Sequence, residues 1–163
     1  MPNGTGTCFR GVEVYNKQGF TFLEVMVITV IIGILTAVAM PSVGDVLAEQ
    51  KLKAAARTLA SDLRKVQATA ISQETPVRVN FDLLNNYYKA SIGTANILGP
   101  KYLPADVKMV YAQFNGSAQF YFNALGAAEN GTVTLALTNN PSKMLYVIVY
   151  RSGRIRISPT STP

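Results

Sequence analysis

The sequence predicts an α+β protein in which one long N-terminal helix precedes a head of antiparallel strands. Two patterns predict it. From Val25 to Met40 the chain holds only apolar residues, Gly33 and two threonines, and beyond Pro41 the residues Leu52, Ala56, Leu59, Leu63, Val66 and Ala70 recur at spacings of four and three. That is the single apolar stripe of an amphipathic helix. After Pro76 the period changes to short alternating runs separated by Gly, Pro and Asn, the mark of strands and turns.

Taken in order, residues 1–19 form a leader and residues 20–40 a membrane-spanning segment. Phe20 to Met40 would be about 31 Å long as a helix, enough for a hydrocarbon core of about 30 Å. Arg10 and Lys17 precede the span, and the first charges beyond it are Asp45 and Glu49. This asymmetry keeps the leader in the cytoplasm and exports the rest. Glu24 lies inside the span, where a carboxylate is costly unless something meets it. Thr29, Gly33 and Ala37, four residues apart, give a small-residue face suited to close helix packing.

Two plainer readings compete for this segment. Ala37-Val38-Ala39 has the form of a signal-peptidase site behind an apolar region. Glu24 interrupts that region, however, and the helical pattern continues past the would-be cut. A simple membrane anchor has no use for Gly-Phe-Thr followed by an intramembrane acid.

Residues 41–75 continue the helix. Lys51, Lys53, Arg57, Arg64 and Lys65 fall largely off the stripe, and Glu49 with Lys53 has the i, i+4 spacing of a supporting pair. Pro76 disfavours helical geometry at Thr75, so the helix should end near Gln73, roughly 80 Å from Phe20. Gly33 and Pro41 mark where it should bend or loosen.

Residues 76–158 form the β-rich head. Expected strands are Val77–Phe81, Tyr87–Ile92 after a turn at Asn85-Asn86, Val107–Ala112, Ala118–Asn123, Thr132–Leu137, Met144–Tyr150 and Arg154–Ser158. Leu145 to Val149 is apolar on both faces and should be a central strand. Gly93 to Pro104 reads as a loop from its Gly and Pro content. Residues 159–163, Pro-Thr-Ser-Thr-Pro, have nothing to bury and read as a disordered tail.

Composition narrows the chemistry. The 163 residues contain no histidine, and Cys8, in the leader, is the only cysteine. The processed chain would form no disulfide, and it lacks the usual general base and the commonest metal ligand. No cluster of acids has metal-ligand spacing, no glycine-rich loop opens a helix, and no nucleophile motif is visible. Only Ser-Lys or paired-carboxylate catalysis is left open by the residue types. The reading is a protein that is not an enzyme and takes no cofactor and no metal.

The block Lys17-Gln18-Gly19-Phe20-Thr21-Phe22-Leu23-Glu24, followed by the apolar run, resembles the N-terminal signature of type IV prepilins and pseudopilins. The resemblance implies the type IV pilin fold and cleavage by prepilin peptidase between Gly19 and Phe20. It also implies methylation of the new N-terminus at Phe20 and an assembly role for Glu24, whose carboxylate would meet the terminal amine of a neighbouring subunit. Opposite charges attract strongly in low dielectric, and each relieves the other's burial. The implied partners are other pilins or pseudopilins, the peptidase and an inner-membrane assembly platform. The implied location is the inner membrane, crossed once with the head in the periplasm, and then the pilus or pseudopilus.

In the head, Leu59 to Ile71 followed by Pro76-Val77-Arg78-Val79, Phe122 with Gly126, Gly131-Thr132-Val133-Thr134-Leu135 and Gly153-Arg154-Ile155-Arg156 resemble the minor pseudopilins of the H type (GspH/FimT). Members sit near the fibre tip in type II secretion pseudopili or type IV pili, and some pilus-associated members bind DNA through a C-terminal Gly-Arg-x-Arg. Without the leader the chain has 13 basic and 8 acidic side chains, net +5, and its last acid is Glu129. Lys143, Arg151, Arg154 and Arg156 therefore lie in an acid-free segment. Period-two geometry puts Arg154 and Arg156 on one strand face, and Gly153 beside them would let a phosphate come close. Arg151, Gly153, Arg154 and Arg156 are the candidate DNA-binding set. A solvated strand edge or an acidic partner subunit would use the same charges.

If the cut falls after Gly19, mass spectrometry of membrane-extracted protein should give an N-terminus at Phe20, with one added methyl group. A bulky residue in place of Gly19 should leave the leader attached. An N-terminus at Met40 would instead identify a signal peptide.

Overall fold

The computed structural model describes residues 19–161, without the side chains of residues 38–43. One helix, α1, runs Phe22–Ser72, and eight strands follow. They are β1 (Val77–Asp82), β2 (Tyr87–Ile92), β3 (Ala95–Tyr102), β4 (Val107–Phe114), β5 (Gln119–Phe122), β6 (Gly131–Leu137), β7 (Met144–Val149) and β8 (Ile155–Ser158). The protein is α+β, and its strands pair antiparallel in two four-stranded sheets of order β3-β2-β1-β5 and β4-β6-β7-β8.

The chain divides into two compact units between Met40 and Pro41. In the first, Phe22 to Ala37 is helical and exposed throughout, its large apolar side chains from 44% to 82%. The hydroxyls of Thr29 and Thr36 donate to the carbonyls of Met26 (2.8 Å) and Ile32 (2.7 Å), so neither threonine leaves a donor unpaired. Among the described residues, no helix is long and apolar enough to cross a membrane. The expected span, Phe20 to Met40, runs on into residues 38–43, whose side chains lie outside the description, as does the leader except for Gly19. The helix assignment continues through Pro41.

In the second unit the helix ends where Pro76 requires. Thr75 N donates to Ala70 O and Glu74 N to Ile71 O, with Glu74 at φ +49°. This is a Schellman closure with a glutamate in the left-handed position that glycine usually takes. The expected stripe is the buried one: Leu52, Ala56, Leu59, Leu63, Val66 and Ala70 are all at most 3% exposed. They share one core with Val77, Val79 and Phe81 of β1, Tyr88 and Ala90 of β2, Phe120 and Phe122 of β5 and the inner faces of β4, β6 and β7. Phe114 of β4 stacks on Phe120 of β5 at 4.3 Å between centroids and on Phe81 of β1 at 5.6 Å, which ties the two sheets together.

Polar contacts fix the helix at four levels. Glu49 accepts from Lys143 Nζ (3.0 Å) and pairs with Lys53 (2.8 Å). The hydrogen bonds from Lys53 and then Lys143 hold its carboxyl at about 2. Lys51 pairs with Asp106 (2.6 Å). Asp62, 2% exposed, accepts from Tyr88 Oη and Lys101 Nζ, both at 2.6 Å. Burial first, and then the Asp62 carboxylate, push the Tyr88 phenol up. Gln67 Nε2 donates to Gly126 O (2.7 Å) and Gly153 O (3.0 Å).

The expected loop from Gly93 to Pro104 is corrected: it contains β3. Gly93, at φ +56°, and Thr94 make a two-residue hairpin turn that pairs Ile92 with Ala95. β3 is an edge strand, so Pro100 need not donate to a further neighbour. Pairing passes from Ala90–Leu98 to Tyr88–Lys101, so Gly99 and Pro100 together oppose Lys89 as a bulge. Gly and Pro signalled a loop because edge strands tolerate the same residues. β7, expected to be central, lies between β6 and β8. The strand expected from Arg154 begins one residue later, at Ile155.

Removing the Asp62 carboxylate would strand a buried phenol and a half-exposed ammonium. Asp62→Ala should therefore lose about 2–4 kcal/mol of stability. In urea unfolding of the detergent-solubilised chain the midpoint should fall with little change in slope.

Candidate functional site

Gly19 and Phe20 precede the helix and are exposed. A Cβ built on Gly19 meets nothing within 4 Å, so the chain itself makes no demand for glycine there. Thr21 is the N-cap of α1: its Oγ1 accepts from Glu24 N (3.2 Å), and its carbonyl accepts from Glu24 N (3.1 Å) and Val25 N (3.3 Å). Glu24 thus holds the third helical position, in the first turn, where the positive end of the helix dipole favours a carboxylate. Thr21 is a site residue that the pilin signature does not single out. Its signal is nonetheless in the sequence, because Thr21-Phe22-Leu23-Glu24 has the spacing of a capping box.

The C-terminal candidates separate. After β7 the chain turns through Tyr150 to Arg154, with Gly153 N donating to Tyr150 O (2.8 Å) and Tyr150 N to Arg154 O (2.9 Å). Gly153 closes the turn at φ +81° and is buried. A Cβ there would lie 2.0 Å from Gly126 O and 2.3 Å from Gln67 Nε2. The space expected to admit a phosphate is filled by Gly126 and the helix, and the glycine serves that internal contact. Arg151 lines a polar cavity of about 300 Å³ with Asn115, Glu129 and Asn130, and its amide donates to Asn130 Oδ1.

Arg154 and Arg156 are both exposed, with the Arg154 guanidinium 5.9 Å from the Tyr150 ring centroid. From the helix, Arg64 Nη2 donates to the backbone carbonyl of Ile155 at 3.4 Å. Sequence spacing could not show that neighbour, which lies 91 residues away. Among the described residues no group of acids could hold a metal ion.

A long N-terminal helix whose second half is buried against two antiparallel four-stranded sheets defines a protein of the type IV pilin fold. The chain belongs to the family described as "Type II transport protein GspH", whose profile matches residues 55–153, and a "Prokaryotic N-terminal methylation motif" matches residues 15–40. Among solved structures it is similar to the minor pseudopilin EpsH from the type II secretion system of Vibrio cholerae. That likeness has a TM-score of 0.57 and 12% identity, over 71% of this chain and 99% of that one. It is also similar to the type IV minor pilin FimU of Pseudomonas aeruginosa, with a TM-score of 0.54 and 17% identity over 69% and 92%. At such identities the likeness is one of fold. The type IV major alpha-pilin of Moraxella bovis is 34% identical over 61 residues, 37% of this chain and only 38% of that protein's length.

Gly153→Ala should destabilise the head by about 2–4 kcal/mol, from its left-handed backbone and the overlap with Gly126. Alanine at both Arg154 and Arg156 should cost under about 1 kcal/mol. Thermal unfolding of the three proteins in the same detergent would check the contrast.

Proposed function

We propose that this chain is a structural minor pilin or pseudopilin, a fibre subunit and not an enzyme. The leader is removed after Gly19, Phe20 is methylated, and Phe20 to Met40 crosses the inner membrane with the head in the periplasm. The subunit then enters a type II secretion pseudopilus or type IV pilus near its tip. One observation carries this reading: a capped helix places Glu24 in its first turn and then exposes apolar side chains all round as far as Ala37. Such a surface calls for lipid or neighbouring helices to cover it. Membership of the GspH family supports the reading, and so does the EpsH and FimU likeness.

A second reading, contact with DNA during uptake, is favoured by the exposure of Arg154 and Arg156 at the edge of the second sheet. It requires binding of duplex DNA that weakens as salt rises.

Glu24→Ala should leave the head's stability unchanged within about 0.5 kcal/mol. Export and leader cleavage should also be kept. Recovery with partner pilins in sheared fibres or pull-downs should drop to background, and Glu24→Gln separates the need for charge from the need for polarity. Normal incorporation of the alanine variant would remove Glu24 from the assembly role.

A further inference from the structure

No strand of the second sheet carries a carboxylate. From Val107 to Ser158 the only acid is Glu129, which lies outside the strands and lines the polar cavity with Arg151. Among the described residues all five ion pairs use lysine, and Lys108, Arg154 and Arg156 belong to none of them. All three are exposed. Met109, Leu135, Val147, Val149 and Ile155 belong to the core. Strand alternation therefore turns Lys108, Tyr146, Ile148, Arg154 and Arg156 to the opposite, outer face.

The register lays that face out row by row. Lys108 stands opposite Ala136, and Tyr111 opposite Thr134, which in turn faces Tyr146. In the next row Thr132 faces Ile148, which faces Arg156. Tyr111 reaches this face because of a bulge. Met109 pairs with Leu135 and Tyr111 with Thr134, so Val110 is an extra residue in β4. Plain alternation would turn Tyr111 inward like Met109. With the bulge, Val110 and Tyr111 both face out, 46% and 47% exposed. Neighbouring strands lie about 4.8 Å apart, so Tyr111 and Tyr146 are about 10 Å from each other and β4 is about 14 Å from β8. Beside the two arginines, Thr132, Ile148, Tyr150 and Ser161 line a cavity of about 260 Å³.

We propose that this outer face binds single-stranded DNA, with Lys108 joining Arg154 and Arg156 on the phosphates while Tyr111 and Tyr146 take bases. The inference rests on the DNA reading above, and it names the form of DNA and the residues that act with the two arginines. A face with cations and no acid suits a polyanion. Tyrosines set between those cations suit unpaired bases, whose flat sides stack on aromatic side chains whatever the sequence. A duplex keeps those sides inside its own stack, so it would use the cations and leave the rings idle.

The test titrates the detergent-solubilised full chain against a labelled single strand of mixed sequence, read by anisotropy between about 50 and 200 mM salt, with the matching duplex alongside. The single strand should bind more tightly than the duplex. Tyr111→Ala should weaken single-strand binding at least about fivefold. It should leave the slope of log affinity against log salt unchanged, because a ring neutralises no phosphate. Tyr111→Phe, which keeps the ring, should bind as wild type does. Lys108→Ala should lower the slope by about 0.7, the share of one phosphate on a single strand. Arg78→Ala, on the other sheet, should change neither affinity nor slope. Tyr111 and Lys108 are both exposed, so their variants should stay folded. If wild type binds but Tyr111→Ala and Lys108→Ala keep its affinity and slope, contact is confined to β8 and the inference is overturned. Tighter binding of the duplex overturns it as well. If neither form binds at the lowest salt, the DNA reading itself falls, and the inference with it.

Discussion

Much of the head depends on a carboxylate that has nowhere else to go. Asp62 sits inside the apolar face of α1, between Leu59 and Leu63, and is 2% exposed. A charge so placed must be met by partners or the helix cannot dock. Tyr88 of β2 and Lys101 of β3 meet it, both at 2.6 Å. A slide of α1 by one helical turn, about 5.4 Å, would carry the carboxylate away from both donors. With that level set, Gln67 arrives at the carbonyls of Gly126 and Gly153, and Glu49 and Lys51 arrive at Lys143 and Asp106.

The same constraint explains why the cations divide as they do. Lysine carries a compact charge on a flexible stem and can reach back to a carboxylate from a strand or turn, as Lys101 does to Asp62 and Lys143 to Glu49. Those bridges span from the helix to β3 and to the turn before β7, and they hold the head together. The arginines are left over, and they are exposed. A planar fork with five donors is poorly used against water.

Most of the secondary structure was legible in the sequence, because burial and period coincide here. The stripe from Leu52 to Ala70 could only be a half-buried helix, and Leu145 to Val149 could only be a strand covered on both faces. Pro76 fixed the end of α1 to within a residue of Ser72. β3 was not legible, because the Gly99-Pro100 pair that signals a loop also suits a bulge on an edge strand. Of the N-terminal candidates, Glu24 stands in the helix's first turn and Gly19 and Phe20 precede it, and the threonine that caps it carries a spacing signal of its own. The C-terminal four-residue motif was legible only as charge. What each residue does there is set by contacts from elsewhere in the chain. Gly126 and Gln67 take up Gly153, Asn130 and Glu129 surround Arg151, and Arg64 reaches the Ile155 carbonyl from the helix. Neither period nor spacing carries information of that kind.

The position of Glu24 follows from the same physics as that of Asp62, with the opposite result. Asp62 is answered within the chain, so it can be buried at folding. Glu24 is the only charge between Lys17 and Asp45, and its carboxylate is exposed at the start of the helix. Deeper in the apolar run an acid would face hydrocarbon with every backbone amide already committed to the helix. In the first turn the unpaired amides and the positive end of the dipole lower that penalty before any partner arrives. An acid at the third helical position behind a threonine cap therefore costs less than one deeper in the apolar run. Under the assembly role proposed above, its carboxylate would stay available until a cation from another subunit replaced water as its partner.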